Sequence, residues 1–255
     1  MNYLLKIAYD GTNYHGWQIQ ENALAVQEVF QTALTKILNA TYEIKGCSRT
    51  DSGVHANEYF ISVKTEREIP PLRLKAALNG NLPNDIAVLD SLIVDDNFHA
   101  RYSCKGKQYI YKIWNNEVKN PFLNGYALHY RWKLDEKLLD SAAKSYLGSH
   151  DFTSFCTLDM REQKNMVRTV TQSCVERNGD LVTFTVAADG FLYNMVRIMT
   201  GTLFRVAQGK ILPDDIPGII NAKSRASAGP TAPAHGLYLN KVYYAKEDLY
   251  GSKKQ

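Results

Sequence analysis

The chain has 255 residues, of which 45% are hydrophobic and 22% charged, with 16 Gly and 8 Pro, a composition that excludes disordered and fibrous classes and allows one large or two small cores. Its greasiest segment, residues 191–207, is interrupted by Arg197 and Arg205, so it is not expected to cross a bilayer. The opening run, residues 3–9, has neither the basic stretch nor the cleavage site of a signal peptide, and a cytoplasmic protein without membrane contact is expected.

The net charge of +4 is unevenly spread. Residues 1–105 hold 10 Lys+Arg against 12 Asp+Glu (−2), and residues 106–255 hold 20 against 14 (+6). Attraction for a polyanion must therefore come from the second half, although charge alone equally describes an ordinary mildly basic surface. Cys47, Cys104, Cys156 and Cys174 form no C-x-x-C pair and the six His form no H-x-x-x-H, so reduced, packed thiols are expected and no metal site.

In chain order, residues 3–9 read as a strand, followed by a polar, Gly-punctuated loop over 10–17. Val26, Val29, Phe30, Ala33, Leu34, Ile37 and Leu38 recur at helical spacing and predict an amphipathic helix over 24–39. The run Ala23-Leu24-Ala25 before it lacks a Ser or Thr cap. Short strands are predicted at 42–45 and 58–63, a helix from Pro70-Pro71 to Asn79-Gly80, and a strand over 86–94. In the second half, 107–114 alternates as a strand and 135–147 reads as a helix. Strands at 168–176 and 181–187 form a hairpin, 191–208 is a long helix, a short helix follows Pro213, and 236–244 is a final strand. The expected fold is mixed α+β: two ferredoxin-like subdomains (1–105 and 106–247) with mainly antiparallel sheets, an active-site cleft between them, and a solvated tail over 248–255.

The segment Cys47-Ser48-Arg49-Thr50-Asp51-Ser52-Gly53-Val54-His55-Ala56 carries the most chemical information. It lies between two strands, and Asp-Ser-Gly is turn-forming, so Arg, Asp and His are displayed on a loop beside a sheet. By residue type alone, Asp51 is a plain turn former as readily as a reactive group, and His55 a satisfied structural histidine.

The run from Arg49 to Ala56 resembles the active-site signature of the TruA family of tRNA pseudouridine synthases. Further blocks resemble that family in order: Tyr9-Asp10-Gly11, Gly16-Trp17-Gln18 and Val26-Gln27, then Asn81-Leu82-Pro83 with Asp85-Ile86-Ala87, and Phe98-His99-Ala100-Arg101. Tyr109-Ile110-Tyr111, residues 151–155, Met195-Val196-Arg197, Gly201-Thr202-Leu203 and residues 236–239 complete the series. The resemblance implies an isomerase that converts uridine to pseudouridine at positions 38, 39 and 40 of the tRNA anticodon stem-loop, acting as a homodimer without a cofactor. It assigns Asp51 as the nucleophile, Tyr109 as the tyrosine contacting the uracil, Arg197 as the cation paired with the aspartate, and Arg49 as the arginine preceding it. Tyr109 and Arg197 are thus expected to converge on Asp51. Ser48 stands where the family usually has Gly, and Ser52 where Ala is common; both are small, and a slightly altered turn is expected.

The reaction breaks the N1–C1′ bond, turns the base, and joins C5 to C1′, with no redox step. A carboxylate can attack C6, attack C1′, or assist loss of a sugar proton, and the three remain open. Each role needs an ionised Asp51, which burial opposes and a guanidinium supports. Tyr109 brings a stacking face and a hydroxyl. Arg49 either fills the space left by an extruded base or contacts a phosphate. Three other classes compete: a non-catalytic RNA binder, a hydrolase pairing Asp51 with Glu58 or another acid, and a metal-dependent enzyme.

Overall fold

The computed structural model describes residues 1–157 and 165–250. Its elements run β1 (Asn2–Tyr9), α1 (Val26–Leu38), β2 (Ile44–Gly46), β3 (His55–Lys64), α2 (Pro71–Asn79), β4 (Ile86–Val94), β5 (Gly106–Trp114), β6 (Leu128–His129), α3 (Glu136–Lys144), β7 (Gly148–Asp151), β8 (Val167–Asn178), β9 (Leu181–Ala188), α4 (Met195–Ala207), α5 (Ile216–Asn221), β10 (Leu237–Tyr243) and α6 (Lys246–Tyr250). The fold is mixed α+β with mostly antiparallel strand pairing.

Two compact units divide the chain: Met1–Lys107 with the chain from Tyr238 onward, and Gln108–Leu237. The sequence-based division at 105/106 kept the last strand with the second half, whereas the contacts group it with the first. In the first unit, β1 lies between β3 and β4, antiparallel to both, and β2 adds to β3. The strand β10 runs parallel to β3, pairing Tyr238 with His55 and Leu239 with Ala56. Such a parallel partner comes from far along the chain, so no local signal announces it. The core of this unit includes Leu4, Leu5, Ile7, Phe30, Leu34 and Tyr59, all fully or nearly fully buried.

Helix α1 begins at Val26, and its Ala25 N-cap makes no side-chain hydrogen bond. The missing cap is compensated by the loop before it: Val26 N–H donates to the Gly16 carbonyl at 3.1 Å and Gln27 N–H to Trp17 at 3.0 Å. The 10–17 loop therefore both starts α1 and braces the turn that carries Asp51.

In the second unit the strand order is β5-β9-β8-β7, with β6 on β5. The β8–β9 hairpin turns over Gly179 (φ +59°) and Asp180, a narrower turn than the four residues anticipated. Helix α3 stops at Lys144 although the apolar pattern runs to Leu147, because Ser145 closes it and Gly148 turns with φ +104°. Helix α4 starts at Met195, four residues later than expected, since Asn194 adopts a left-handed conformation (φ 62°) that cannot continue a helix. Residues 246–250 form α6, which overlaps the first three residues of the tail expected over 248–255; residues 251–255, including Lys253, Lys254 and Gln255, lie outside the described residues.

Candidate active site

After β2 the chain leaves the sheet for eight residues and re-enters it as β3 at His55. Cys47 ties the departure down: its N–H donates to the Phe60 carbonyl at 2.9 Å, and its Sγ accepts from Phe60 N–H at 3.4 Å. The turn itself is closed by Val54 N–H donating to the Asp51 carbonyl at 3.2 Å. Gly53, third of its four residues, has φ +74°, a conformation that glycine adopts without Cβ penalty. This places Asp51, half-buried, at the head of a tight turn, with Arg49 exposed two residues before it.

The 10–17 loop holds that turn from behind. Tyr9 Oη and Thr50 Oγ1 share a buried hydrogen bond of 2.8 Å, Trp17 N–H donates to the Thr50 carbonyl at 3.3 Å, and Gly53 N–H donates to the Tyr14 carbonyl at 3.1 Å. The backbones touch so closely that a Cβ on Gly11 would lie 2.1 Å from the Val54 carbonyl oxygen, and one on Gly16 2.2 Å from that of Thr50. Trp17 stacks on Tyr59 at 4.3 Å, and the Tyr59 hydroxyl donates to the Ser48 carbonyl. The Tyr-Asp-Gly and Gly-Trp blocks of the sequence are thus supports for Asp51's backbone.

His55 is buried, 2% exposed. Its Nδ1 lies 3.1 Å from Gly11 N–H and 3.0 Å from Asp10 Oδ1, and its ring stacks on Tyr238 at 4.6 Å. Of the two readings of this histidine, the structural one fits, since it fastens the loop and β10 to β3. Sequence reasoning gave no role to Asp85, which accepts from the Tyr14 hydroxyl at 2.7 Å through Oδ1 and from Asn13 at 3.3 Å through Oδ2. Burial, helped by the neighbouring Asp85 carboxylate, holds the Tyr14 phenol above its ordinary range and keeps it a donor. The signal was available in the Asp85-Ile86-Ala87 block but pointed to no chemistry. Glu58, considered as a second carboxylate for a hydrolase, is already engaged: it pairs with Lys6 at 2.5 Å and accepts from Val242 N–H at 2.9 Å.

In the second unit, β5 turns Tyr109, Tyr111 and Ile113 to one buried face, as the alternation of the sequence anticipated. The Tyr109 ring meets Phe191 edge-on at 4.9 Å. Tyr111 donates its hydroxyl to the Pro233 carbonyl at 2.8 Å; burial raises its phenol well above the ordinary range, with nearby Arg197 opposing the effect. Arg197, third residue of α4 and half-buried, spreads its guanidinium between the Ala232 carbonyl (Nε, 2.7 Å) and Asn194 Oδ1 (Nη1, 2.8 Å). The left-handed Asn194 that delays α4 is therefore also the residue that steers Arg197. Among the described residues, no group of three or more His, Cys, Asp or Glu is arranged to hold a metal ion, and no helix is long and apolar enough to cross a membrane.

The family model described as tRNA pseudouridine synthase matches residues 6–103 and 142–245. The chain is 46% identical over 243 residues to a tRNA pseudouridine synthase A of Acetivibrio thermocellus, covering 95% of this chain and 99% of the relative. It is 44% identical to one from Thermoanaerobacter sp., with the same coverage of both, and 40% identical to one from Staphylococcus carnosus, covering 98% of this chain and 93% of that one. The matched stretches contain the Asp51 turn with its supporting loop, and also Arg197. The chain belongs to the tRNA pseudouridine synthase family.

Proposed function

We propose that this protein isomerises uridine to pseudouridine in the anticodon stem-loop of tRNA, at positions 38, 39 and 40, with Asp51 as nucleophile. The observation that carries the reading is a half-buried carboxylate on a turn braced from two directions, inside the segment that resembles the family's signature. A nucleophile must be held in register with the sugar and base, and a braced turn supplies that positioning. Arg197 is the cation assigned to keep Asp51 ionised; a guanidinium stays charged, and two anchors fix its direction. Tyr109 supplies the ring that contacts the uracil, steadied by Phe191. Arg49, exposed beside the turn, enters the duplex as the target base leaves its stack.

The same reading takes the two units as ferredoxin-like subdomains, the working enzyme as a cytoplasmic homodimer, and the reaction as cofactor-free. The order β4-β1-β3, with β2 on β3 and the helices between strands, supports the subdomain assignment for the first unit.

The test is to map pseudouridine in tRNA incubated with the wild type and with Asp51→Asn. The expected result is conversion at positions 38–40 by the wild type and none by the variant, which still binds tRNA. Normal conversion by Asp51→Asn overturns the mechanism, and conversion elsewhere overturns the specificity. Light scattering with and without tRNA tests the dimer, and a monomeric active complex refutes it.

A further inference from the structure

On the flank of α4, within the second unit, the structure has a pocket of about 470 Å³. Gly201, Gly229 and Pro230 are among the residues that line it, and their backbones pack closely together. A Cβ on Gly201 would lie 1.7 Å from the Pro230 carbonyl oxygen, and one on Gly229 2.4 Å from that of Gly201. Its walls include Phe204, Arg205, Lys210 and Arg225, and no acidic residue is among the described residues that line it. Arg225 is half-buried and held in place, donating to the Gly229 carbonyl at 2.9 Å and to Thr231 Oγ1 at 3.2 Å. Arg205 and Lys210 are exposed and form no ion pair among the described residues.

An aromatic patch borders the cations. Phe204 lies flat on Tyr130, with centroids 5.2 Å apart and planes 9° apart, and Tyr130 meets Trp132 edge-on at 5.4 Å. Trp132 is exposed, and the Arg131 guanidinium sits 5.8 Å above its ring. Cations gathered without counter-charge, next to flat rings, are the chemistry that takes a phosphate together with its base or sugar.

Pocket volume is compatible with a small ligand, since such sites span roughly 300–1,000 Å³. Openness argues otherwise. A site for a free ligand usually encloses most of it, whereas two of the three cations here stand in solvent. An open, charged pocket gains most from a polymer already held elsewhere, for which the added contact is intramolecular. Arg205 follows Arg197 by eight residues on α4, a separation of roughly 12 Å along the helix axis.

We infer that this pocket binds a backbone phosphate, and the ring beside it, of the substrate RNA at a nucleotide other than the target uridine. The inference rests on the tRNA reading above for the identity of the RNA.

The test compares wild type with Arg205→Glu/Lys210→Glu, leaving Arg225 intact because it holds the backbone at Gly229. Both substituted side chains are exposed, and an unchanged melting temperature and circular dichroism spectrum establish that the fold is intact. The expected result is a KM for tRNA raised roughly 20-fold at 0.15 M salt with kcat unchanged, and a log K against log salt slope shallower by about 0.8, the loss of one phosphate contact. Unchanged KM and slope overturn the inference, as does an equal loss from Lys119→Glu/Lys137→Glu, the same charge change outside the pocket. Uridine 5′-monophosphate is the probe for a free ligand: tight binding that the pocket variant abolishes assigns the pocket to a small molecule and overturns the RNA reading. The salt slope is also measured on Asp51→Asn, so a failure of the catalytic reading shows as absent conversion and leaves the binding comparison standing.

Discussion

Tyr9 Oη and Thr50 Oγ1 lie 2.8 Å apart in a buried hydrogen bond, joining the last residue of β1 to the residue immediately before Asp51. The contact spans 41 positions of sequence and fixes where the Asp51 turn leaves the sheet. Replacing Thr50 by Val keeps the shape and removes the hydroxyl. We expect a loss of about 1 kcal/mol in unfolding free energy, the usual net worth of one hydrogen bond. On the proposed role of Asp51 as nucleophile, kcat should fall more than KM rises, because displacing a nucleophile weakens the transition state. Urea denaturation and steady-state kinetics check both, and a rise in KM alone would assign Thr50 to binding.

Gly11→Ala should be far more damaging than a glycine substitution in an open loop. Its Cβ would meet the Val54 carbonyl oxygen at 2.1 Å, and neither partner is a flexible side chain. Either the 10–17 loop or the Asp51 turn must move. The expected outcome is conversion reduced by at least about 100-fold, the scale at which a misplaced catalytic group acts. By contrast, Gly179→Ala, on the β8–β9 turn with nothing within 4 Å, should cost only about 1 kcal/mol from its left-handed backbone and leave conversion intact. Comparable loss of conversion in the two variants would remove the steric argument.

Arg197→Lys retains a positive charge but not the planar fork that reaches Ala232 and Asn194 together. If orientation matters as well as charge, kcat should drop at least about tenfold while tRNA affinity is kept. Near-normal kcat in the lysine variant, with loss only in Arg197→Met, would show that charge alone suffices.

Burial pushes the Cys47 thiol up to about 12, so it stays protonated and inert in the folded protein. The folded value lies above the unfolded one, so this contribution is fully present below the unfolded pKa and is lost as pH rises through the window up to about 12. Stability should decline in that range by about 1.4 kcal/mol per pH unit from this group, and Cys47→Ala should flatten the decline. Thiol titration should find Cys104 and Cys174, which are partly exposed, reactive in the native state, and Cys47 and Cys156 only after denaturation. Early labelling of Cys47 would show that its cover opens under native conditions.

Much of the first unit was legible in the residues. Strand Ile86–Val94 was delimited to the residue as an apolar run, and α2 by Pro71 at its start and Asn79-Gly80 at its end. Signals that depend on neighbours along the chain survive without tertiary context. Errors clustered where the controlling group is remote or where one backbone angle decides. β3 begins at His55, three residues early, because Tyr238 pairs there. α4 begins late because Asn194 is left-handed, and hydrophobic spacing carries no trace of that.

The site divides the same way. Asp51, Arg49, Tyr109 and Arg197 were picked from ordered motifs, and the Asp-Ser-Gly turn follows from local chemistry. The sequence alone determined the family, the candidate nucleophile and the turn that displays it. Only the tertiary structure decided what holds that turn: Tyr9 beneath Thr50, the Gly11 and Gly16 backbones against Val54 and Thr50, and His55 fastened between Asp10, Gly11 and Tyr238. Contacts between residues dozens of positions apart arise from packing and leave no periodicity in the chain. The pocket beside α4 is the clearest instance, since Arg205, Lys210 and Arg225 read separately are three surface charges and become one site only when Gly201 and Gly229 let their segments meet.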